Sequence, residues 1–215
     1  MRSILLHRRS FLTGLLGATG AGLLQACTYN AAAADTVIAP TRAIPLDEAP
    51  PPVRACGAAT VDQIEGPFYK PRAPHRLAIA NDREPGERLV ITGTVKSTRC
   101  APLAKAELDI WHADARGDYD NDGYHLRGIL ATDEQGRFEL RSIVPGRYLN
   151  GKRYRPSHLH VKLRAHGCEE LTTQLYFAND PYLDGDPFMH SSLVMPHRTA
   201  GGVRRAAFDF VLQAA

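Results

Sequence analysis

Arg88-Leu89-Val90-Ile91-Thr92-Gly93-Thr94-Val95 has strand composition, with Leu89, Ile91 and Val95 recurring at even spacing, the phase of a period-two alternation. Successive side chains of an extended chain point to opposite faces, so this alternation reads as a strand that buries one face. The same period recurs in Ala106-Glu107-Leu108-Asp109-Ile110-Trp111 and in Phe138-Glu139-Leu140-Arg141-Ser142-Ile143. Ser157 to Leu163, Leu171 to Phe177 and Ala207 to Leu212 have strand composition as well. Asp133-Glu134-Gln135-Gly136 supplies a turn between two of these runs. No stretch offers a long amphipathic helical face. Many short strands at close spacing predict an all-β fold, an antiparallel β-sandwich with long loops. Residues 179–204, rich in Asp, Pro and Gly, are expected to form one long irregular loop.

The 215 residues suffice for one domain plus a leader. A hydrophobic content of 44% supports a core, and a charged content of 23% argues against disorder. The net charge of +3 comes from Arg2, Arg8 and Arg9; without them 23 basic side chains face 23 acidic ones. A nucleic-acid partner is therefore not expected, because its footprint needs basic residues clustered on the folded domain.

Residues 1–26 read as an export signal. Arg8-Arg9-Ser10-Phe11-Leu12 resembles a twin-arginine signal, which exports proteins already folded. Leu24-Gln25-Ala26-Cys27 resembles a lipoprotein box that would leave a lipidated Cys27 as a membrane tether. A competing cleavage site lies in Ala31 to Ala34 and would release a soluble protein. The lipoprotein reading is preferred. Residues 27–57 carry Pro40, Pro45, Pro50, Pro51 and Pro52 and read as an extended tether. The catalytic or binding domain is then 58–215, placed in the periplasm or cell envelope. Of Cys56, Cys100 and Cys168, one pair can form a disulfide, and the sequence does not choose which.

The densest chemistry lies in Arg155-Pro156-Ser157-His158-Leu159-His160-Val161. Residues i and i+2 of a strand share a face at about 6.6 Å, so two imidazoles can converge on one metal while Leu159 points into the core. Alone, this pattern suits zinc, copper and iron alike. Trp111-His112-Ala113-Asp114-Ala115-Arg116-Gly117-Asp118-Tyr119 and Val144-Pro145-Gly146-Arg147-Tyr148 add two tyrosines at strand ends. Asp118-Tyr119-Asp120-Asn121-Asp122-Gly123 imitates the start of a calcium loop, but the twelfth position is Ile129 where that loop needs Glu. His75, His112, His125, His166, His190 and His197 lack a partner pattern and read as surface residues, and Trp111 reads as core.

These segments resemble the intradiol ring-cleavage dioxygenases, the family of catechol, hydroxyquinol and protocatechuate dioxygenases. The W-x-A-x-x-x-G-x-Y, P-G-x-Y and R-P-x-H-x-H segments occur in order, followed by Thr173-Gln174-Leu175-Tyr176-Phe177; Glu65-Gly66-Pro67-Phe68-Tyr69 resembles an early family element. The resemblance spans about residues 58–212. It implies one iron(III) ion, Fe(3+), per chain, held by Tyr119, Tyr148, His158 and His160. It places Gly66 and Pro67 in the substrate pocket and Gln174 beside it. Arg155 becomes the active-site arginine that steadies an anionic ring, and Tyr148 the base that takes a substrate proton. The implied substrates are a small aromatic diol and O2, and a homo-oligomer is compatible with it. The rival readings are a transthyretin-like binding module, which has no use for two tyrosines and two histidines together, and a cupin-like or copper protein, which needs a third His or a Glu that the sequence does not supply.

The twin arginines and Cys27 give separable outcomes. Replacing Arg8 and Arg9 with Lys should retain precursor in the cytoplasm, followed by immunoblotting of cell fractions. Undiminished export would assign the general secretory route. Cys27→Ser should move the domain from the membrane fraction to the soluble one.

Overall fold

The structure is a computed structural model, and it describes residues 56–215. The expected export signal, the box ending at Cys27 and the tether up to residue 55 lie outside the described residues. The chain forms β1 (Arg88–Ser97), β2 (Glu107–Trp111), β3 (Arg127–Ala131), β4 (Arg137–Ile143), β5 (Leu149–Asn150), β6 (Arg153–Tyr154), β7 (His158–Arg164), β8 (Leu171–Phe177), β9 (Val194–Met195), β10 (His197–Ala200), β11 (Val203–Ala207) and β12 (Phe210–Leu212). Short 3-10 turns at Leu183–Gly185 and Ser191–Leu193 are the helical elements among the described residues.

One sheet runs β10-β11-β1-β12, with β4 also paired to β1, and the other runs β3-β2-β7-β8-β9. The expectation of a purely antiparallel sandwich is corrected here: β11 and β12 both lie parallel to β1, and β9 lies parallel to β8. Parallel neighbours need a long connection, and the many residues between β1 and β11 provide one. The run Ala207 to Leu212 is two elements, because Phe208 and Asp209 interrupt the pairing to β1. Asp209 covers the break: its carboxylate accepts from the Thr94 backbone N–H and hydroxyl, both at 2.8 Å. Residues 179–204 are also not one irregular loop; they hold both 3-10 turns, β9 and β10.

The core lies between the sheets. Leu89, Ile91, Val95, Phe138 and Leu140 face Leu108, Ile110, Leu159, Val161, Leu163 and Leu175. Each such aliphatic or aromatic side chain contributes about 1.5–3 kcal/mol by leaving water. The period-two reading of β1, β2 and β4, with β7 and β8 read from their composition, is therefore the reading that builds the core.

The outer face of the second sheet is also covered. Residues 60–76 cross it as a strap, with Gln63 N–H donating to the Thr172 carbonyl at 2.7 Å and Arg76 N–H to the Ile129 carbonyl at 3.0 Å. Arg127, buried on β3, donates to the Phe68 carbonyl at 2.5 Å and to the Asp120 carbonyl at 2.7 Å. The strap is fastened at its start by a Cys56–Cys100 disulfide, and Cys168 stays free. Cys56, expected within the tether, is thus tied to the turn that follows β1. The bridge closes a separation of 44 residues. Cys56→Ser should therefore destabilise the oxidised protein by about 2–4 kcal/mol, read from urea unfolding as a lower midpoint with a slope that is no smaller. A midpoint equal to that of the unaltered protein would remove the bridge from the folded state.

Candidate metal centre

Cross-strand register decides what meets on the outer face of the second sheet. Trp111 of β2 lies opposite His160 of β7, which lies opposite Gln174 of β8. His158 lies opposite Tyr176. Side chains of paired residues share a face, so His158, His160, Gln174, Tyr176 and Trp111 form one buried patch beneath the strap. Leu159 points the other way, as the alternation requires. Trp111 is buried as expected, and its ring stacks on His160 at 4.9 Å between centroids.

Tyr119 and Tyr148 arrive from two loops that pack backbone to backbone. Gly117 has φ +98, and a Cβ there would come within 2.4 Å of the Arg147 carbonyl. A Cβ on Gly146 would meet the Gly117 nitrogen at 2.4 Å. Only glycine allows both approaches, so the motif glycines set the distance between the two tyrosines. The Tyr119 and Tyr148 rings are 5.7 Å apart, Tyr148 and His158 5.6 Å, His158 and His160 5.1 Å, and Tyr119 and His160 6.3 Å. All four expected ligand side chains are thus brought together, with Phe68 of the strap stacked on Tyr119 at 4.3 Å. Gly66 lies against His160, where an added Cβ would sit 3.3 Å from its Cε1.

The hydrogen-bond inventory of this patch is incomplete in a pointed way. Trp111 Nε1, Tyr119 Oη, His158 Nε2 and His160 Nδ1 are buried without a protein partner. Such atoms cost free energy unless something binds them. His158 Nδ1 donates to the Pro156 carbonyl at 2.7 Å, since a carbonyl can only accept; Nε2 then carries the lone pair. Burial, followed by the nearby Arg155 charge, pushes the His158 pKa down to about 3. Burial and then His158 lower that of His160 well below its ordinary value. Both rings are therefore neutral donors at pH 7. Tyr119 is pushed up, by burial first and then by Tyr148, so it stays a phenol unless a cation ionises it. Among the described residues no group of three or more His, Cys, Asp or Glu could hold a metal. A metal at this patch must therefore take oxygen from the tyrosines, and this mixed donor set fits a hard trivalent ion.

Arg155 is buried, not a surface cation. Its Nε donates to Asp186 Oδ2 at 2.6 Å. Its Nη2 donates to Asp186 Oδ1 at 3.1 Å, Gln174 Oε1 at 2.9 Å and Tyr176 Oη at 3.2 Å, and its Nη1 faces Tyr148 Oη at 3.4 Å. Gln174 is fully buried and reaches the site through Arg155, while its Nε2 holds the Ile64 carbonyl at 3.2 Å. A cavity of about 210 Å3 opens here, walled by Ile64, Gly66, Pro67, Phe68, Tyr148 and Phe188 among others. A wider one of about 490 Å3 leads outward past Tyr119, Tyr148, Arg116 and Arg147. The expected pocket residues Gly66 and Pro67 do line the inner cavity.

Two histidine expectations change. His112 is buried; its Nδ1 donates to the Ala113 carbonyl at 2.8 Å and its Nε2 accepts from Ser142 at 2.7 Å, which ties the end of β2 to β4 of the other sheet. Burial takes its pKa to about 4. His197 is half-buried and holds the Ala178 carbonyl at 3.0 Å. His75, His125, His166 and His190 are exposed, as expected. The calcium-like loop spends its Asp120 carboxylate on the backbone N–H groups of Asp122, Gly123 and His125. Reading the sequence missed Asp186, Asp180 and Tyr176. Tyr176 could have been found, since it sits two residues after Gln174 on the same face. Nothing local in Asp184-Gly185-Asp186-Pro187 signals a partner 31 residues away.

Comparison with known proteins identifies the family. A family model described as Dioxygenase matches residues 64–214. The chain belongs to the intradiol ring-cleavage dioxygenase family, whose members use iron(III). It is 36% identical over 169 residues to a chlorocatechol 1,2-dioxygenase of Rhodococcus opacus, covering 65% of this chain and 65% of that relative's length. Among solved structures, it resembles 3-chlorocatechol 1,2-dioxygenase from Rhodococcus opacus 1CP, at 32% identity and TM-score 0.68 over 73% of each chain. It also resembles the dioxygenase domain of a dioxygenase–carbohydrate-binding protein fusion from Streptomyces sp. SirexAA-E, at 42% identity and TM-score 0.68 over 74% of this chain and 100% of that one.

The unpaired phenol makes a stability prediction. Tyr119→Phe removes a buried hydroxyl that has no partner, so the metal-free variant should be as stable as the parent or up to about 1 kcal/mol more so. It should also take up less iron. A clear loss of stability in calorimetry of the metal-free protein would mean that Tyr119 Oη is satisfied in the folded state.

Proposed function

We propose that this chain is an exported iron(III) dioxygenase that cleaves a catechol-type aromatic diol between its two hydroxyls. Both atoms of O2 enter the product, a muconate-type diacid. The observation that carries the reading is the convergence of two tyrosines and two neutral imidazoles with Tyr119 Oη and His158 Nε2 unpaired. Tyr119, Tyr148, His158 and His160 would hold one iron per chain. When bound, iron(III) would offset the roughly 4 kcal/mol that ionising a phenol costs at pH 7 and bring the diol together with dioxygen.

The chain's own residues do the rest. Ile64, Pro67, Phe68 and Phe188 wall the inner cavity with apolar surface that seats one aromatic ring and excludes water. Tyr148 borders both cavities, and its Oη is positioned to accept a proton from an incoming hydroxyl. The Arg155 guanidinium faces that same oxygen and steadies negative charge on the phenolate and on the ring. Gln174 and Tyr176 hold the guanidinium from behind. Export through the twin-arginine route, with a tether at Cys27, belongs to the same proposal: a folded, metal-loaded domain suits that route.

Purified protein should be red-brown, with iron near one per chain by elemental analysis, and should consume O2 with catechols in an oxygen electrode. A colourless zinc protein, inactive after iron reconstitution, would sink the reading. Alanine is a poor probe of Arg155, because it leaves buried Asp186 without its partner at a cost of about 3–5 kcal/mol. Arg155→Lys keeps the charge and loses the planar fork. It should keep its colour and its iron while turnover falls by about a hundredfold. Near-unaltered turnover would remove Arg155 from the mechanism.

A further inference from the structure

Residues 180–188 place two buried carboxylates against the two ends of the β5–β6 hairpin that follows Tyr148. Asp180 takes Arg147 Nε at 2.9 Å, and Asp186 takes Arg155 Nε at 2.6 Å. Tyr154 and Tyr182 pack their rings between these pairs at 5.4 Å. The two pairs differ in what they leave free. The side chain of Arg147 is 46% exposed, whereas those of Arg155 and Asp186 are 5% and 1% exposed.

Asp186 is itself held. Its Oδ1 accepts the Phe188 N–H at 2.8 Å, and its own N–H donates to the Leu183 carbonyl at 3.1 Å. The Phe188 ring lies 4.9 Å from the guanidinium carbon of Arg155. The carboxylate therefore has a fixed orientation before it meets the arginine. With both its oxygens on Arg155, it fixes the plane of the fork and not merely its position. Once Nε and one face of Nη2 are taken, Nη1 is left toward Tyr148 Oη and the remaining Nη2 direction toward Gln174 and Tyr176.

We propose that Asp186 is a positioning residue, which sets the plane of the Arg155 guanidinium and through it the donor facing Tyr148. The inference rests on the dioxygenase reading for its kinetic consequence, but its geometric part holds with or without metal. The arginine is anchored in the strand-entry segment before β7, while the residue that aims it comes from the loop after β8. An orientation error of about an ångström in such a donor is enough for a hundredfold loss of rate.

Asp186→Asn tests this. The amide nitrogen would face an arginine N–H, donor against donor, so the fork must turn. The iron-loaded variant should keep about one iron per chain and a KM for catechol within about threefold, while kcat falls ten- to a hundredfold. Its visible charge-transfer band should shift as Tyr148 Oη loses its donor. Asp186→Glu, which restores a carboxylate, should recover part of both. An iron-loaded Asp186→Asn with kcat within twofold of the parent and an unmoved band would overturn the inference while leaving the dioxygenase reading intact. So would a kcat loss that merely follows lost iron or lost folded protein. Metal-free protein gives the separate readout. The Arg155 Nε–H and the Gln174 side-chain amide resonances should both move in Asp186→Asn. If the Gln174 amide stays in place, Asp186 does not aim the fork, whatever the iron result; if the parent chain takes up no iron, the dioxygenase reading fails and this readout still decides the geometry.

Discussion

β7 is buried on both faces, and each face carries a different chemistry. Leu159, Val161 and Leu163 pack into the space between the sheets, while His158 and His160 lie under the strap. A strand slip of one residue would exchange these sets. The core then loses three aliphatic side chains and gains two imidazoles and the Lys162 ammonium, at several kcal/mol each way. The register that protects the core is therefore the register that builds the polar patch. Trp111 and Gln174 follow, because ladder pairing places them beside His160.

A polar patch on a doubly buried strand must still be satisfied. The domain achieves this with chain that is not in either sheet. The strap brings Ile64 to Gln174 and Phe68 to Tyr119, and its backbone is held by Arg127 and by β8. The loop after β8 brings Asp186 to Arg155. What remains unpaired in the patch is Trp111 Nε1, Tyr119 Oη, His158 Nε2 and His160 Nδ1. Buried polar atoms ordinarily find a partner, and three of these four belong to the residues proposed to hold a metal.

The Arg155–Asp186 pair is better understood as a device for direction than for stability. Bringing both charges out of water costs several kcal/mol per ion, and the pairing largely returns that sum without surplus. Burial works against the Arg155 charge, yet the Asp186 hydrogen bond and the adjacent Tyr148 and Tyr176 oxygens outweigh it, and its pKa is raised. The guanidinium stays charged throughout. The return on this arrangement is a donor facing Tyr148 Oη, on a residue that borders both cavities.

Much of this was legible in the chain itself. The period-two runs specified β1, β2 and β4, because burial of one face imposes that period directly on neighbouring residues, and strand composition marked β7 and β8. The strand period alone put His158 and His160 on one face; Tyr119 and Tyr148 became ligand candidates through the resemblance of their ordered motifs to the family. What stayed hidden depended on contacts across long separations. The parallel placement of β11 and β12 on β1, the choice of Cys100 for Cys56, the burial of His112 beneath Ser142 and the pairing of Asp186 with Arg155 all join segments whose local patterns say nothing of each other. Local sequence carries the period of an element and the freedom of its backbone; only the packed chain decides which distant polar group lies within hydrogen-bond reach of another.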